Sequence, residues 1–347
     1  MTVKQAREAA RQWILEEAGA LPGFCAAYTA GSTNWLPDHV NLATTSDVDV
    51  MVVLDDPNEE RARRKFIFHE ALLEVSYLRK HQFELLSQIL SDYHLAPSLR
   101  TTKIVFDPNG FLAPLLHAVS RDYAKRQWVR QRCANAKEKI LRSLRSLDDR
   151  AALHDQVITT VFTAGITTHV LLVAGLRNPT VRTRYQAVRS LLADYGHIEF
   201  HERLLALLGA ARISRSQASQ HLAALIPVFD TAKAVIKTPF PFASDVSDRA
   251  RSIAIDGSSE LIDRGYHREA MFWIAVTHSR CQKILTSDAP GKLAPSFMES
   301  YQALVGNLGL PAPSAVRERC LEVERTLPQV SDLAGVLISA NREIEDG

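Results

Sequence analysis

Every convincing strand signal in this chain falls before about residue 107, and from Gly110 to the end the apolar spacing is helical. That switch limits the fold more than any other feature. A chain with strands confined to its first third folds as α+β: a mixed β-sheet flanked by helices, then an all-helical bundle. The expected domains are residues 1–115 and 116–347. The length of 347 residues agrees, because single hydrophobic cores stop growing at roughly 250–300 residues.

Within the first part, "REAARQWILEEA" has helical spacing, and "FCAAYTA" and the β-branched "DVDVMVVL" read as strands. Two more strands, "ALLEVSYL" and "TTKIVF", flank the helical "HQFELLSQILSDY". Later helical patterns include "HDQVITTVFTAGITTHVLLVAG", "SQASQHLAALIPVFDTAKAVI" and "HREAMFWIAVTHSRCQKIL", with breaks at Pro, Gly and Ser clusters.

The stretch from Ala30 to Asp56 carries the chemistry. Successive strand residues point to opposite faces, so Asp47 and Asp49 share one side while Val48 and Val50 enter the core. Two carboxylates on one face repel unless something positive lies between them, and a divalent cation is the simplest partner. Mg²⁺ takes oxygen ligands and commonly shares one or two carboxylates with substrate phosphates. Upstream, Gly31-Ser32 follows an apolar run. A glycine there lets backbone N–H groups approach an anion, the serine adds a hydroxyl donor, and "STNW" can open a short helix facing the same anion. Glu74, an acid inside an apolar strand, reaches the same place if its strand lies beside that of Asp47 and Asp49.

Gly31, Ser32, Ser46, Asp47, Val48 and Asp49 form a pattern that resembles the nucleotidyltransferase superfamily of DNA polymerase β. A small catalytic domain followed by helices resembles, within it, the aminoglycoside (kanamycin-type) nucleotidyltransferases; "KIVFDPNGFL", with Asp107 and Gly110, looks like that subgroup's closing strand and turn. The spacing of fifteen residues between Ser32 and Asp47 is longer than the commonest versions. The resemblance implies that Asp47, Asp49 and Glu74 are catalytic and hold Mg²⁺, with two ions expected, and that Gly31, Ser32 and Ser46 contact a nucleoside triphosphate, ATP first among them. Glu74 would also help deprotonate the acceptor. The nucleotide would pass to a hydroxyl acceptor with release of pyrophosphate, the acceptor being a small molecule such as an aminoglycoside-like antibiotic. The alternatives are a macromolecular acceptor, tRNA or a protein, and an inactive nucleotide-binding module.

Other signals are weaker. Arg182 and Arg184, after Pro179, are candidates for phosphate contact in a cleft, against an ordinary solvated helix. Nine Lys or Arg residues between Arg121 and Arg145 face two acids, and read as a solvated helix face or as an RNA contact. The net charge of +2 argues against broad nucleic-acid coating. Gly257-Ser258 repeats the Gly-Ser pair in a helical setting, where a cap or break explains it better. His197 and His201 lack a third ligand at meaningful spacing and read as ordinary histidines. Cys25, Cys133, Cys281 and Cys320 form no CxxC, which suggests reduced thiols. No run is expected to span a membrane, no signal peptide is evident, and a cytoplasmic protein follows, compatible with dimerisation.

Overall fold

The structure, a computed structural model, describes residues 1–55, 63–291 and 295–346. The chain divides into two compact units, Met1–Gln131 with the C-terminal residues from Glu345, and Arg132–Ile344. The return of the C-terminus is held by Glu345, whose N–H donates to Ala124 O at 3.1 Å and whose carbonyl accepts from Arg126 N at 2.8 Å.

The first unit is α+β. Helix α1 (Val3–Glu16) starts on a capping box in which Thr2 and Gln5 exchange hydrogen bonds. Five strands follow: β1 (Phe24–Ala30), β2 (Val48–Leu54), β3 (Arg64–Phe68), β4 (Ala71–Arg79) and β5 (Lys103–Phe106). They form one mixed sheet in the order β3-β4-β2-β1-β5, in which only β2 and β4 run parallel. Its apolar face packs under α1: Ala6, Ala10, Trp13 and Ile14 meet Val48, Val50, Val52, Leu73 and Val75. These positions alternate along β2 and β4, so Asp49 and Glu74 are turned to the other face.

Strand β3 has no counterpart among the expected elements. It pairs with β4 through a two-residue turn at His69 and Glu70, both with positive φ (45° and 65°). The expected helix over "HQFELLSQILSDY" is a 3₁₀ turn at Lys80–Phe83 followed by the short α2 (Leu86–Ser91). After α3 (Leu95–Arg100) and β5, Asp107 accepts hydrogen bonds from the N–H groups of Phe111, Leu112 and Ala113, which starts α4 (Leu112–Asp122). Gly110 turns the chain there with φ +66°.

Helix α5 (Arg126–Arg145) runs from the first unit into the second. The second unit contains α6 (Leu153–Ala174), α7 (Arg184–Asp194), α8 (Phe200–Leu208), α9 (Arg215–Val235), α10 (Gly257–Asp263), α11 (His267–Asp288), α12 (Pro295–Asn307) and α13 (Pro313–Ala340). No strand occurs after β5 among the described residues. One of these helices, α6, stands out by its hydropathy. Its mean hydropathy of 1.8 over 18 residues makes it long and apolar enough to cross a membrane, yet 83% of that window is buried within the fold. It packs against α11 and α13, as a core helix does.

Candidate metal and phosphate site

The first unit brings three carboxylates together on the sheet face turned away from α1. Parallel pairing of β2 with β4 sets Asp49 opposite Glu74, and Asp47 lies two residues before Asp49 on the same side. One oxygen from each of Asp47, Asp49 and Glu74 falls within 4.8 Å of the others. The packing that produces this is the valine and leucine face beneath: slipping β2 by one residue would expose Val48 and Val50 and bury both aspartates.

Gly31 closes one side. It follows β1 with φ +74°, and Ala30 pairs with Asp49. A Cβ added to Gly31 would overlap Asp49 Oδ2, so only glycine leaves the carboxylate its place. Ser32–Asn34 form one 3₁₀ turn rather than the expected short helix, and the contribution of this corner is the Gly31 backbone and the exposed Ser32 hydroxyl. Asn34 anchors the turn: its Nδ2 donates to Thr29 O at 2.7 Å and to Thr101 O at 3.2 Å, and its Oδ1 accepts from Thr29 Oγ1 at 2.9 Å. Arg7 of α1 supports it from the other side, with Nε donating to Thr33 O at 2.8 Å. Ser46 stands half-buried just before Asp47, its N–H donating to Ala43 O at 3.0 Å.

Two cations not singled out by sequence also enter the site. Lys65 of β3 stands opposite Glu74 and is only 4% exposed; its Nζ donates to Asp47 Oδ2 at 2.8 Å and lies 2.7 Å from Glu74 Oε2. Arg63 pairs with Glu74 Oε1. The signal was present in "RRKFIF", where Lys65 alternates with Phe66 and Phe68, but it depended on recognising β3.

The charges are far from their ordinary balance. Burial pushes Asp47 up, but Lys65 and a hydrogen bond with the Glu74 carboxyl more than offset it and hold Asp47 low. Burial, reinforced by the Asp47 charge, raises Asp49 to about 7. Burial raises Glu74 to about 8 although Lys65 pulls the other way. The Asp49 carboxylate makes no hydrogen bond or ion pair among the described residues. Two half-buried carboxylates and a buried one at this spacing, one lacking any side-chain partner, suit a divalent cation such as Mg²⁺.

Arg182 and Arg184 lie in the second unit. Arg182 Nη1 donates to Gly257 O at 3.1 Å. Arg184 is 2% exposed; its Nε donates to Val181 O at 2.8 Å and its guanidinium lies 4.2 Å from the centre of the Phe272 ring. Ser258, of the second Gly-Ser pair, is buried and donates to Ala254 O at 2.7 Å inside a helical turn. His201 is a core histidine, 2% exposed, with Nε2 3.2 Å from Tyr185 O.

No protein-family model matches the chain, and no curated protein is similar to it. Among solved structures it matches a nucleotidyltransferase-like protein from Exiguobacterium sibiricum 255-15 at 16% identity, over 74% of this chain and 91% of that one, with a TM-score of 0.30.

Proposed function

We propose that this chain transfers a nucleoside monophosphate from a nucleoside triphosphate to a hydroxyl group, with Mg²⁺ and release of pyrophosphate. One observation carries the reading: Asp49 and Glu74 face each other across parallel strands, with Asp47 in reach, beside a glycine-serine corner. The pattern resembling the DNA polymerase β superfamily calls for that arrangement.

Asp47 and Asp49 would hold the ion, with Glu74 completing the cluster. Bound there, Mg²⁺ would neutralise charge on the triphosphate and on the phosphorus under attack. Gly31 would leave the triphosphate a close approach to backbone N–H groups, and the exposed Ser32 hydroxyl would donate to a phosphate oxygen. The acceptor hydroxyl would pass its proton to Glu74 as its oxygen attacks the α-phosphorus, the bond to the bridging oxygen breaks, and pyrophosphate leaves. Positioning and charge neutralisation are what such a transfer asks of a protein.

The acceptor we propose is a hydroxylated small molecule, aminoglycoside-like antibiotics among the first to try, in a protein working in the cytoplasm. Four cysteines without disulfides fit a reducing compartment. An RNA acceptor draws less support from the basic stretch than the sequence promised. Arg121 and Lys125 pair with Asp122, Arg126 pairs with Asp346, Lys137 Nζ donates to Ser331, and Arg132 is fully buried.

The test is transfer of label from α-³²P nucleoside triphosphates to a panel of aminoglycosides, tRNA and proteins, with Asp49→Asn as control. Label on one acceptor class, absent in the variant, supports the reading. No transfer and no pyrophosphate release with any of the four nucleotides contradicts it.

A further inference from the structure

We infer that Lys65 takes the place of one of the two divalent cations expected at this site, so that a single ion binds, on Asp47 and Asp49. This rests on the reading of the cluster as a metal and triphosphate site.

The inference comes from accounting for the six carboxylate oxygens. Glu74 Oε1 meets Arg63 and Glu74 Oε2 lies 2.7 Å from Lys65 Nζ, so both oxygens of Glu74 already face cations. Asp47 Oδ2 accepts from the same ammonium at 2.8 Å. What remains without an ion-pair partner among the described residues is Asp47 Oδ1 and both oxygens of Asp49. The two residues are two apart along the chain on the same side, and Asp49 Oδ2 adjoins Gly31, where the triphosphate is expected. An ion bridging Asp47 and Glu74 would instead have to stand where the ammonium is.

Lys65 has little freedom to leave. It is 4% exposed, and its strand neighbour Phe66 packs into the core beneath the sheet, with ring centres 5.2 Å from Trp13. Opposite Glu74 in the β3–β4 register, its stem starts at the site. A second ion would have to take Asp47 Oδ2 and Glu74 Oε2, the two oxygens that the ammonium already holds, so a second ion and a seated Lys65 exclude each other. With Lys65 and Arg63 against three carboxylates, one formal negative charge is left to attract a divalent ion. Lys65 is thus a positioning residue, holding Asp47 and Glu74 together before an ion arrives.

The experiment counts ions. The full chain is crystallised with Mn²⁺ and each of the α,β-methylene analogues of ATP, GTP, CTP and UTP, and Mn²⁺ is located by anomalous scattering and counted by electron paramagnetic resonance. The expected count is one per chain, on Asp47 and Asp49, rising to two in Lys65→Ala. Two ions in the wild-type chain overturn the inference and leave nucleotidyl transfer standing. A single ion in Lys65→Ala also overturns it. No ion with any of the four analogues overturns the metal and triphosphate reading itself. Should Lys65→Ala fail to fold, the wild-type count alone decides.

Discussion

Gly31 and Asp49 are held so closely that Gly31 has no room for a side chain. Gly31 has φ +74°, and a Cβ placed on it would overlap Asp49 Oδ2 and come within 2.9 Å of Asp49 Cγ. Gly31→Ala therefore meets two obstacles, a left-handed backbone and a displaced ligand. We expect a stability loss of about 1–3 kcal/mol and a fall in label transfer of roughly a hundredfold or more, read by urea unfolding and by the α-³²P assay. Full activity in this variant would show that Asp49 need not stand against the glycine.

Without a divalent ion, the carboxylate cluster should make the protein less stable as pH rises. Unfolded Asp and Glu lose their protons near pH 4, whereas in the fold Asp49 keeps its proton to about 7 and Glu74 to about 8. The folded state therefore binds more protons than the unfolded state between those limits, and stability declines through that window and levels off above it. In EDTA, urea unfolding at pH 8.5 should give a lower free energy than at pH 7 by about 1–2 kcal/mol. Added Mg²⁺ should reverse the deficit, and Asp49→Asn should shrink it while abolishing transfer. A wild-type profile that rises from pH 7 to 8.5 in EDTA, above the range in which the buried histidines act, would contradict the assigned charges.

The helical unit should respond with the opposite sign. His278 is fully buried with neither ring nitrogen hydrogen-bonded, and burial lowers it to about 3; His201 is lowered to about 4, again chiefly by burial. Unfolded histidine binds its proton near pH 6.5, so the stability that these neutral rings allow is present above that pH and lost as pH falls towards 4. His278→Phe keeps an aromatic ring beside Tyr301, whose ring centre is 5.3 Å away, and removes one of the two titrations. We expect its unfolding free energy to fall less steeply between pH 6.5 and 4.5 than that of the wild-type chain. Identical slopes would mean that His278 is solvated or paired in solution.

For Arg184 the structure suggests an interior role. The guanidinium lies over Phe272 and within 5.5 Å of the Phe162 ring centre, with Nε on Val181 O. Arg184→Met should cost about 2–4 kcal/mol of stability and leave the affinity of the folded protein for Mn²⁺ and nucleotide unchanged. The reverse result, weaker nucleotide binding at unchanged stability, would restore the phosphate contact suggested by its position after Pro179.

Much of the site was readable in the sequence because alternation along β2 and β4 decides which side chains share a face. Asp47, Asp49 and Glu74 could be placed on one side from Val48, Val50, Leu73 and Val75 alone, and the structure sets Glu74 opposite Asp49. Strand β3 was hidden. Its turn uses His69 and Glu70 at positive φ, where asparagine, aspartate or glycine would have announced a hairpin. With β3 went Lys65 and Arg63, the two cations that balance the cluster. Arg184 shows the converse limit. Spacing along α7 cannot tell a solvated guanidinium from one buried against Phe272, because that depends on α11, more than eighty residues away in the chain.

The measurement that bears most directly on the central claim is Mn²⁺ affinity in the presence of α,β-methylene ATP and its three counterparts, for the wild-type chain and for the Asp47→Asn, Asp49→Asn double variant. The carboxylate site predicts micromolar binding with at least one of the four nucleotides and a loss of a hundredfold or more in the double variant, on the order of 3 kcal/mol. Equal affinity in the two proteins would contradict it.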